Sequence, residues 1–261
     1  WLAAYRDGKI EDGTRAETNY VAYIATGVWH FYLVTGDKTF LNEMWDSVSR
    51  AVDFVLELQG SNGEIFWCLD TNKGIQHDCL LTGCSSIYKS LECAIAIGSA
   101  LKKNTETWSA ARKRLGNAIS DHPECFDQTW NSKERYAMDW FYPVLAGVIR
   151  KEEALKRINK RWDEFVETGW GCRCVSDQPW VTVAETCELV MALNCIGDRA
   201  RAITLFSWLN QFREVDGSYW TGYVFPEKVL WPEERPTWTA GAILLAADAL
   251  TNKTKGSILF S

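Results

Sequence analysis

Histidine is scarce in this sequence, three in 261 residues, and the scarcity excludes several chemistries at once. His30 lies in a helical pattern beside Trp29 and Phe31, His77 in a loop pattern, and His122 in a His-Pro-Glu turn, so no Ser or Cys triad assembles. Cys172 and Cys174 form a CxC with no second pair, which leaves a zinc site without its ligands; no metal and no cofactor is assigned. No GxSxG, P-loop or GxGxxG precedes a suitable helix. No apolar run reaches the roughly 18 residues a membrane span requires, and the first residues lack a basic-then-apolar leader. The expectation is a cytoplasmic chain with no membrane partner. With a net charge of -6 and scattered Lys and Arg, no surface is basic enough to follow a phosphate backbone, which excludes nucleic acid as a partner.

What is present is a chain of 47% hydrophobic and 24% charged residues, enough to bury one large core, read here as a single domain over 1–261. Its nine Cys are odd in number and mostly set in helical patterns (Cys93, Cys187, Cys195), as buried free thiols are. The unusual count is 14 Trp. Trp joins a broad apolar face to one N–H donor, which suits a groove that stacks on sugar rings or on an apolar polycyclic ligand.

Apolar periodicity near 3.6 predicts nine helices, over 16–35, 38–59, 80–103, 106–120, 136–149, 151–167, 181–196, 198–212 and 236–251, with no strand alternation. The odd-numbered helices, such as AETCELVMALNCIG, are small-residue-rich and apolar on most sides, so they read as inner helices buried all round. The even-numbered ones, such as KEEALKRINKRWDEFVE, carry one apolar stripe and one charged face, and read as outer helices. Inner helices pass to outer ones through very short turns (TGD at 35–37, GD at 197–198), while outer ones return through long loops. This is an αα-hairpin repeat of about 55–60 residues, which closes most naturally into an all-α (α/α)6-type toroid.

Residues 58–67 (LQGSNGEIFW) and 212–220 (FREVDGSYW) read as one place in two repeats: an outer helix ends, the chain turns on Gly, and an aromatic leads to the next inner helix. Trp1 stands where a third such aromatic belongs. A ring of six hairpins needs twelve helices, so the reading expects about one and a half hairpins ahead of residue 1.

In such a toroid the long loops and the N-termini of the inner helices share one face, where function is expected. The residues delivered there are carboxylates and aromatics: Glu17, Asn19 and Tyr20; Asp78; Asp139, Trp140 and Tyr142; Asp177, Trp180, Glu185 and Glu188; then Trp220, Tyr223, Trp231, Arg235 and Trp238. Glu17 could equally favour its helix dipole, and Asp78 could be an N-cap. Asp139 sits among Met, Trp, Phe and Tyr, and Glu185 and Glu188 lie one turn apart on an otherwise apolar helix. A carboxyl group in a partly dry aromatic mouth can stay protonated near neutral pH and act as a general acid. Glycoside hydrolysis uses two carboxyl groups, so Glu185 and Asp139 are the catalytic candidates and the rest candidate binding residues.

The Gly turn with its aromatic resembles that of terpene cyclase and prenyltransferase β-subunit toroids, a device any αα-barrel can use. More specifically, YVAYIATGVWHFYLVTGD, MDWFYPVLAG, RWDEFVETGWGCRCVSDQPWVTVAETCEL and DGSYWTGYVFPEKVLWPEERPTWTAGAILLAADAL are similar to actinobacterial-type proteins labelled prenyltransferase-like. That group includes a mycobacterial endo-acting hydrolase of polymethylated α-1,4-mannan polysaccharides. The resemblance covers nearly the whole chain. It implies an inverting-type carboxylate pair, with Glu185 as one member and the other an Asp in a segment that members carry upstream of the position matching Trp1. Members have Asp-Thr-Asn where this chain has Glu17, Thr18 and Asn19.

The function expected is therefore hydrolysis of α-linked oligosaccharide or polysaccharide, methylated or otherwise modified, with mannose or glucose units. Two rivals stand beside it: an isoprenoid enzyme, for which neither a DxDD acid nor a zinc set is present, and a non-catalytic sugar-binding toroid.

Overall fold

The computed structural model describes residues 1–260, with Asp12 as backbone only. Its helices are α1 (Thr18–Thr35), α2 (Lys38–Glu57), α3 (Leu81–Leu101), α4 (Glu106–Asp121), α5 (Ala137–Leu145), α6 (Lys151–Lys160), α7 (Trp162–Phe165), α8 (Val183–Cys195), α9 (Arg199–Trp208) and α10 (Thr237–Thr251). Among the described residues no helix is long and apolar enough to cross a membrane.

Helices thus form where the periodicity predicts them, with two corrections. The segment expected to be helical over 151–167 breaks at Arg161 and runs through α7 into a strand at Val166. The one expected over 136–149 stops at Leu145: Val148 and Ile149 turn back to donate to the Pro143 carbonyl, and Gly147 takes φ 76°.

The absence of strands is also corrected. Ten short ones occur among the described residues: β1 (Ala4–Arg6), β2 (Lys9–Asp12), β3 (Arg15–Glu17), β4 (Cys68–Asp70), β5 (Gly74–Gln76), β6 (Val166–Glu167), β7 (Gly171–Arg173), β8 (Trp180–Thr182), β9 (Gly222–Val224) and β10 (Val229–Leu230). None exceeds four residues, too few for alternation to register. They lie in the long loops and leave the fold predominantly α, of helical hairpins.

The chain divides into two compact units, Trp1–Ser132 and Lys133–Ser261. In the first, α1 packs on α2 and α3, and α3 on α4. The α1–α2 turn is short because Gly36 takes φ 71° and Asp37 caps α2, accepting from Thr39 N (2.9 Å) and Phe40 N (3.1 Å). As the charged-face pattern of an outer helix predicts, α2 buries Leu41, Val48, Ala51, Val52 and Val55.

In the second unit α8 is the central element, packed on α5, α9 and α10. Its Leu189, Val190, Ala192 and Leu193 are fully buried. Gly197 (φ 81°) and Asp198, which caps α9, form the equivalent short turn. An antiparallel sheet in the order β10-β9-β8-β7-β6 runs beside these helices.

Not every inner helix is buried all round. Tyr20 and Tyr23 on α1 and Trp238 and Leu244 on α10 are exposed.

The two similar turns are the same structure. Gly60 N donates to Glu64 O and Glu214 N to Ser218 O, each at 2.8 Å; Gly63 N donates to Gly60 O (3.1 Å) and Gly217 N to Glu214 O (3.0 Å). Phe66 N donates to Leu58 O and Trp220 N to Phe212 O. The match therefore pairs Trp220 with Phe66, one residue before the Trp67 that the aromatic echo suggests. Gly63 (φ 100°) and Gly217 (φ 89°) occupy the left-handed position of each turn.

Candidate active site

The starts of α5 and α8, which carry Asp139 and Glu185, are both tied to the β7–β8 hairpin. Thr182 ends β8 and begins α8, so the strand fixes where that helix starts. The start of α5 is tied to the same hairpin: Ala137 N donates to Cys174 O (2.9 Å), Ser176 N to Arg135 O (2.9 Å), and Tyr136 bridges Val175. Thr186 locks the junction from within, its hydroxyl donating to Thr182 O (2.6 Å) and accepting from Cys172 N (2.8 Å). The first turns of α5 and α8, carrying Asp139 and Glu185, are held together at one end of their packed helices.

One turn further along, the two helices touch through polar atoms. Tyr142 donates its hydroxyl to Glu188 Oε1 at 2.5 Å. Tyr142 is three residues beyond Asp139 and Glu188 three beyond Glu185, so a stripe on α5 meets a stripe on α8.

Thr182 and Glu185 have the spacing of a capping box, in which each side chain would bond the other's backbone N–H. The structure does not use it that way. The Thr182 side chain caps no amide and its hydroxyl bonds Glu185 Oε2, while Glu185 stays partly accessible. The Cys174 thiol, pushed up by burial and by the charge of Glu185, lies against the same carboxylate.

Glu188 sits deeper. Burial, then repulsion from Glu185, push its carboxyl up to about 8, and the Tyr142 hydrogen bond opposes the rise. The residue still retains some accessible surface.

Asp139 is buried (8% exposed) beside Arg157. Burial lowers the pKa of that guanidinium, and the negative charge of Asp139 opposes the fall. Arg157 also donates to the backbone carbonyls of Asp139 (2.9 Å) and Trp140 (2.7 Å).

The aromatic candidates separate by exposure. Trp140 is 1% exposed, stacked on Phe165 with ring centres 5.0 Å apart, and donates its indole N–H to Arg157 O (2.9 Å). It belongs to the core, away from any sugar. Tyr223 stacks on Trp170 at 4.4 Å, half-buried against that core.

Trp180 and Trp231 form an edge-to-face pair at 4.9 Å, and the Trp180 N–H is held by Trp231 O (2.9 Å). The Trp180 indole lies over Gly222, where a Cβ would stand 2.5 Å from Nε1, so only glycine fits beneath it. Trp231 is 54% exposed and offers a free face, as does Trp238 at 63%. Trp220 and Arg235 are occupied with the Gly217 turn. Trp220 donates to Glu214 (2.7 Å), while Arg235 bonds Ser218 (2.8 Å) and Asp216 (3.2 Å) and stacks on Trp220. Asp177 is exposed and paired with Arg135 (2.8 Å).

Four candidates lie in the first unit. Glu17 is the N-cap residue of α1, not a member of its first turn, and sits 3.7 Å from Arg15. Asn19 is half-buried and Tyr20 exposed. Asp78 is not an N-cap, since α3 is capped at Leu80. It is buried and accepts from Cys79 N (2.7 Å), Gln128 N (3.0 Å), Thr129 N (2.6 Å) and Thr129 Oγ1 (2.5 Å). Burial alone would raise its carboxyl, but these bonds prevail and hold it below the ordinary range.

Sequence reasoning missed Thr182 and Cys174 as neighbours of Glu185. The T-x-x-E spacing was the available signal for Thr182, whereas Cys174 is brought in by a strand pairing that leaves no local signature.

No family model matches the chain. It is 48% identical over 260 residues to the MMP endo-(1,4)-3-O-methyl-alpha-D-mannosidase of Mycolicibacterium hassiacum, covering 100% of this chain and 71% of that protein. Solved structures with the same fold include a wild-type glycosidase (TM-score 0.68, 16% identity, 94% of this chain and 70% of that one). A D-mannose isomerase (TM-score 0.66, 10% identity, 93% and 73%) and a sugar epimerase from a ruminal bacterium (TM-score 0.64, 12% identity, 95% and 74%) share it too.

Proposed function

The chain belongs to the family of the MMP endo-(1,4)-3-O-methyl-alpha-D-mannosidase and is a glycoside hydrolase; from that premise we propose that it cleaves internal α-(1,4) linkages between 3-O-methylated mannose units, with Glu185 as general acid. The observation that carries the site assignment is the pair Glu185 and Glu188 on α8. Glu188 is held protonated near neutral pH, chiefly by burial, and Glu185, one turn before it, keeps partial accessibility. Nine free thiols among the described residues fit a reducing compartment, which supports a cytoplasmic location.

The chemistry follows from that pair. The bond between the anomeric carbon and the leaving oxygen breaks, its electron pair stays on the oxygen, and the oxygen takes the proton from Glu185. Water adds to the anomeric carbon and gives its proton to a second, ionised carboxylate. The resemblance implies that this carboxylate is an Asp in a segment that relatives carry upstream of the position matching Trp1. Within the chain the candidate is Asp139, but its burial and its electrostatic pairing with Arg157 support a role in holding the start of α5.

Substrate recognition falls to the exposed faces of Trp231 and Trp238. O-methylation replaces a hydroxyl by an apolar group, so a methylated sugar loses less hydration than a plain one when it stacks on indole.

The test is mass spectrometry of products from α-(1,4)-linked 3-O-methylmannose oligosaccharides of several lengths, beside unmethylated counterparts. Early fragments from internal cleavage of the methylated chains are expected. Intact methylated chains, or removal of single end residues only, would overturn the proposal.

A further inference from the structure

A general acid works only when its carboxyl group is held where the leaving oxygen can meet it, and a glutamate side chain is long and turns freely. Glu185 is in the first turn of α8, where its carboxylate could instead reach back to the unsatisfied amides of the helix start. Resting on the assignment of Glu185 as the acid, we propose that Thr182 is a positioning residue whose hydroxyl, bonded to Glu185 Oε2, fixes the orientation of that carboxyl group.

The hydroxyl can do this because Thr182 is itself fixed. It ends β8, a strand paired on both sides, and stands opposite Cys172 on β7 and Gly222 on β9. The residue is 3% exposed. Its carbonyl accepts from the Thr186 hydroxyl (2.6 Å), which in turn accepts from Cys172 N (2.8 Å), so strand and helix are joined at this point. A β-branched side chain packed in a sheet has little freedom at χ1, and its hydroxyl keeps one direction.

The hydroxyl also forgoes its ordinary use. A Thr at the N-cap position accepts from an amide of the first turn, a bond that stabilises a helix by about 1 kcal/mol. Thr182 holds that position on α8 and caps no amide; its hydroxyl goes to Glu185 instead. A second contact comes from the other strand of the hairpin. The Cys174 thiol, just beyond β7, bonds the same carboxylate as a weak donor. The carboxyl group of Glu185 is thus held by side chains from both arms of the β7–β8 hairpin, with Thr182 the stronger donor of the two.

The experiment compares Thr182→Val, which keeps the shape and removes the hydroxyl, with Thr182→Ser, which keeps the hydroxyl, in the full-length protein acting on a 3-O-methylmannose oligosaccharide. The proposal predicts that kcat falls roughly 10-fold or more in Thr182→Val with KM unchanged within about 3-fold, and that Thr182→Ser stays within about 3-fold of wild type in both. It also predicts that Thr182→Val costs less than about 2-fold more in a Glu185→Gln background, because the hydroxyl acts through that acid. A smaller fall in kcat, an equal fall in Thr182→Ser, or an undiminished loss in the Glu185→Gln background would overturn it. If Thr182→Val does not fold, Thr182→Ser and Thr182→Ala, which differ only in the hydroxyl, decide: a tenfold gap in kcat between them is expected, and equal activity contradicts the proposal. Undiminished turnover in Glu185→Gln alone would refute the acid assignment itself. Loss in that variant beside full activity in Thr182→Val would refute only the role of Thr182.

Discussion

Replacing Glu188 with Gln should make the folded protein markedly less sensitive to alkaline pH. In the native state the carboxyl is raised from its ordinary 4.5 to about 8, first by burial and then by the charge of Glu185. Below about pH 4.5 it is protonated whether the chain is folded or not, and it costs nothing. Between 4.5 and 8 folding must take up a proton, so stability falls as pH rises, by about 1.4 kcal/mol per pH unit. Above 8 the group is ionised in both states and the full cost is present. Over that window the cost has a ceiling of about 5 kcal/mol, and water entering beside the ionised carboxylate reduces it. Gln is nearly isosteric, stays neutral, and can still accept from Tyr142. The variant should therefore match wild type within about 1 kcal/mol at pH 5 and exceed it by about 2–5 kcal/mol at pH 9. Urea denaturation at both pH values reads this difference, with hydrogen-exchange protection of α8 amides reporting on the second unit specifically. Groups that titrate in both proteins cancel in the comparison. A difference between variant and wild type that does not change with pH would refute the reasoning.

The opposite sign holds in the first unit. Asp78 is held below its ordinary pKa despite burial, so its stabilisation is present above about pH 4 and is lost as pH falls through the lowered value. Asp78→Asn should cost about 2–4 kcal/mol at pH 7 and less at pH 3, read by urea denaturation. The two classes of Trp should also part company. Trp140→Ala should destabilise by about 3–5 kcal/mol in thermal or urea unfolding. Trp231→Ala should leave stability within about 0.5 kcal/mol and weaken binding of methylated oligosaccharide roughly 5- to 30-fold by calorimetry.

What was legible in the sequence was legible for physical reasons. The split into apolar and one-striped helices survives because burial selects the residues directly, and the two Gly turns matched because only Gly takes their positive φ without strain. The carboxyl pair on α8 stood out because acids on an apolar helix conflict with burial. Other features depend on partners distant in the chain. The strands are two to four residues each and exist through pairing, not through any pattern of their own. Trp140 and Trp231 look alike in the sequence, yet one is locked against Arg157 and Phe165 while the other is half-exposed beside Trp180. Asp78 looked like a cap, but its hydrogen bonds come chiefly from residues 128 and 129, some fifty positions away. Asp139 stood out as an acid among aromatics, but its charged neighbour Arg157 lies on the next helix, where the local pattern does not show it.

The central claim is that Glu185 delivers the proton that breaks the glycosidic bond. The most direct measurement is a comparison of wild type and Glu185→Gln on a 3-O-methylmannose oligosaccharide, following products by mass spectrometry and binding by calorimetry. The account predicts shorter sugars from wild type, a loss of turnover of roughly 100-fold or more in the variant, and an affinity unchanged within a few-fold. Undiminished turnover in Glu185→Gln would contradict it.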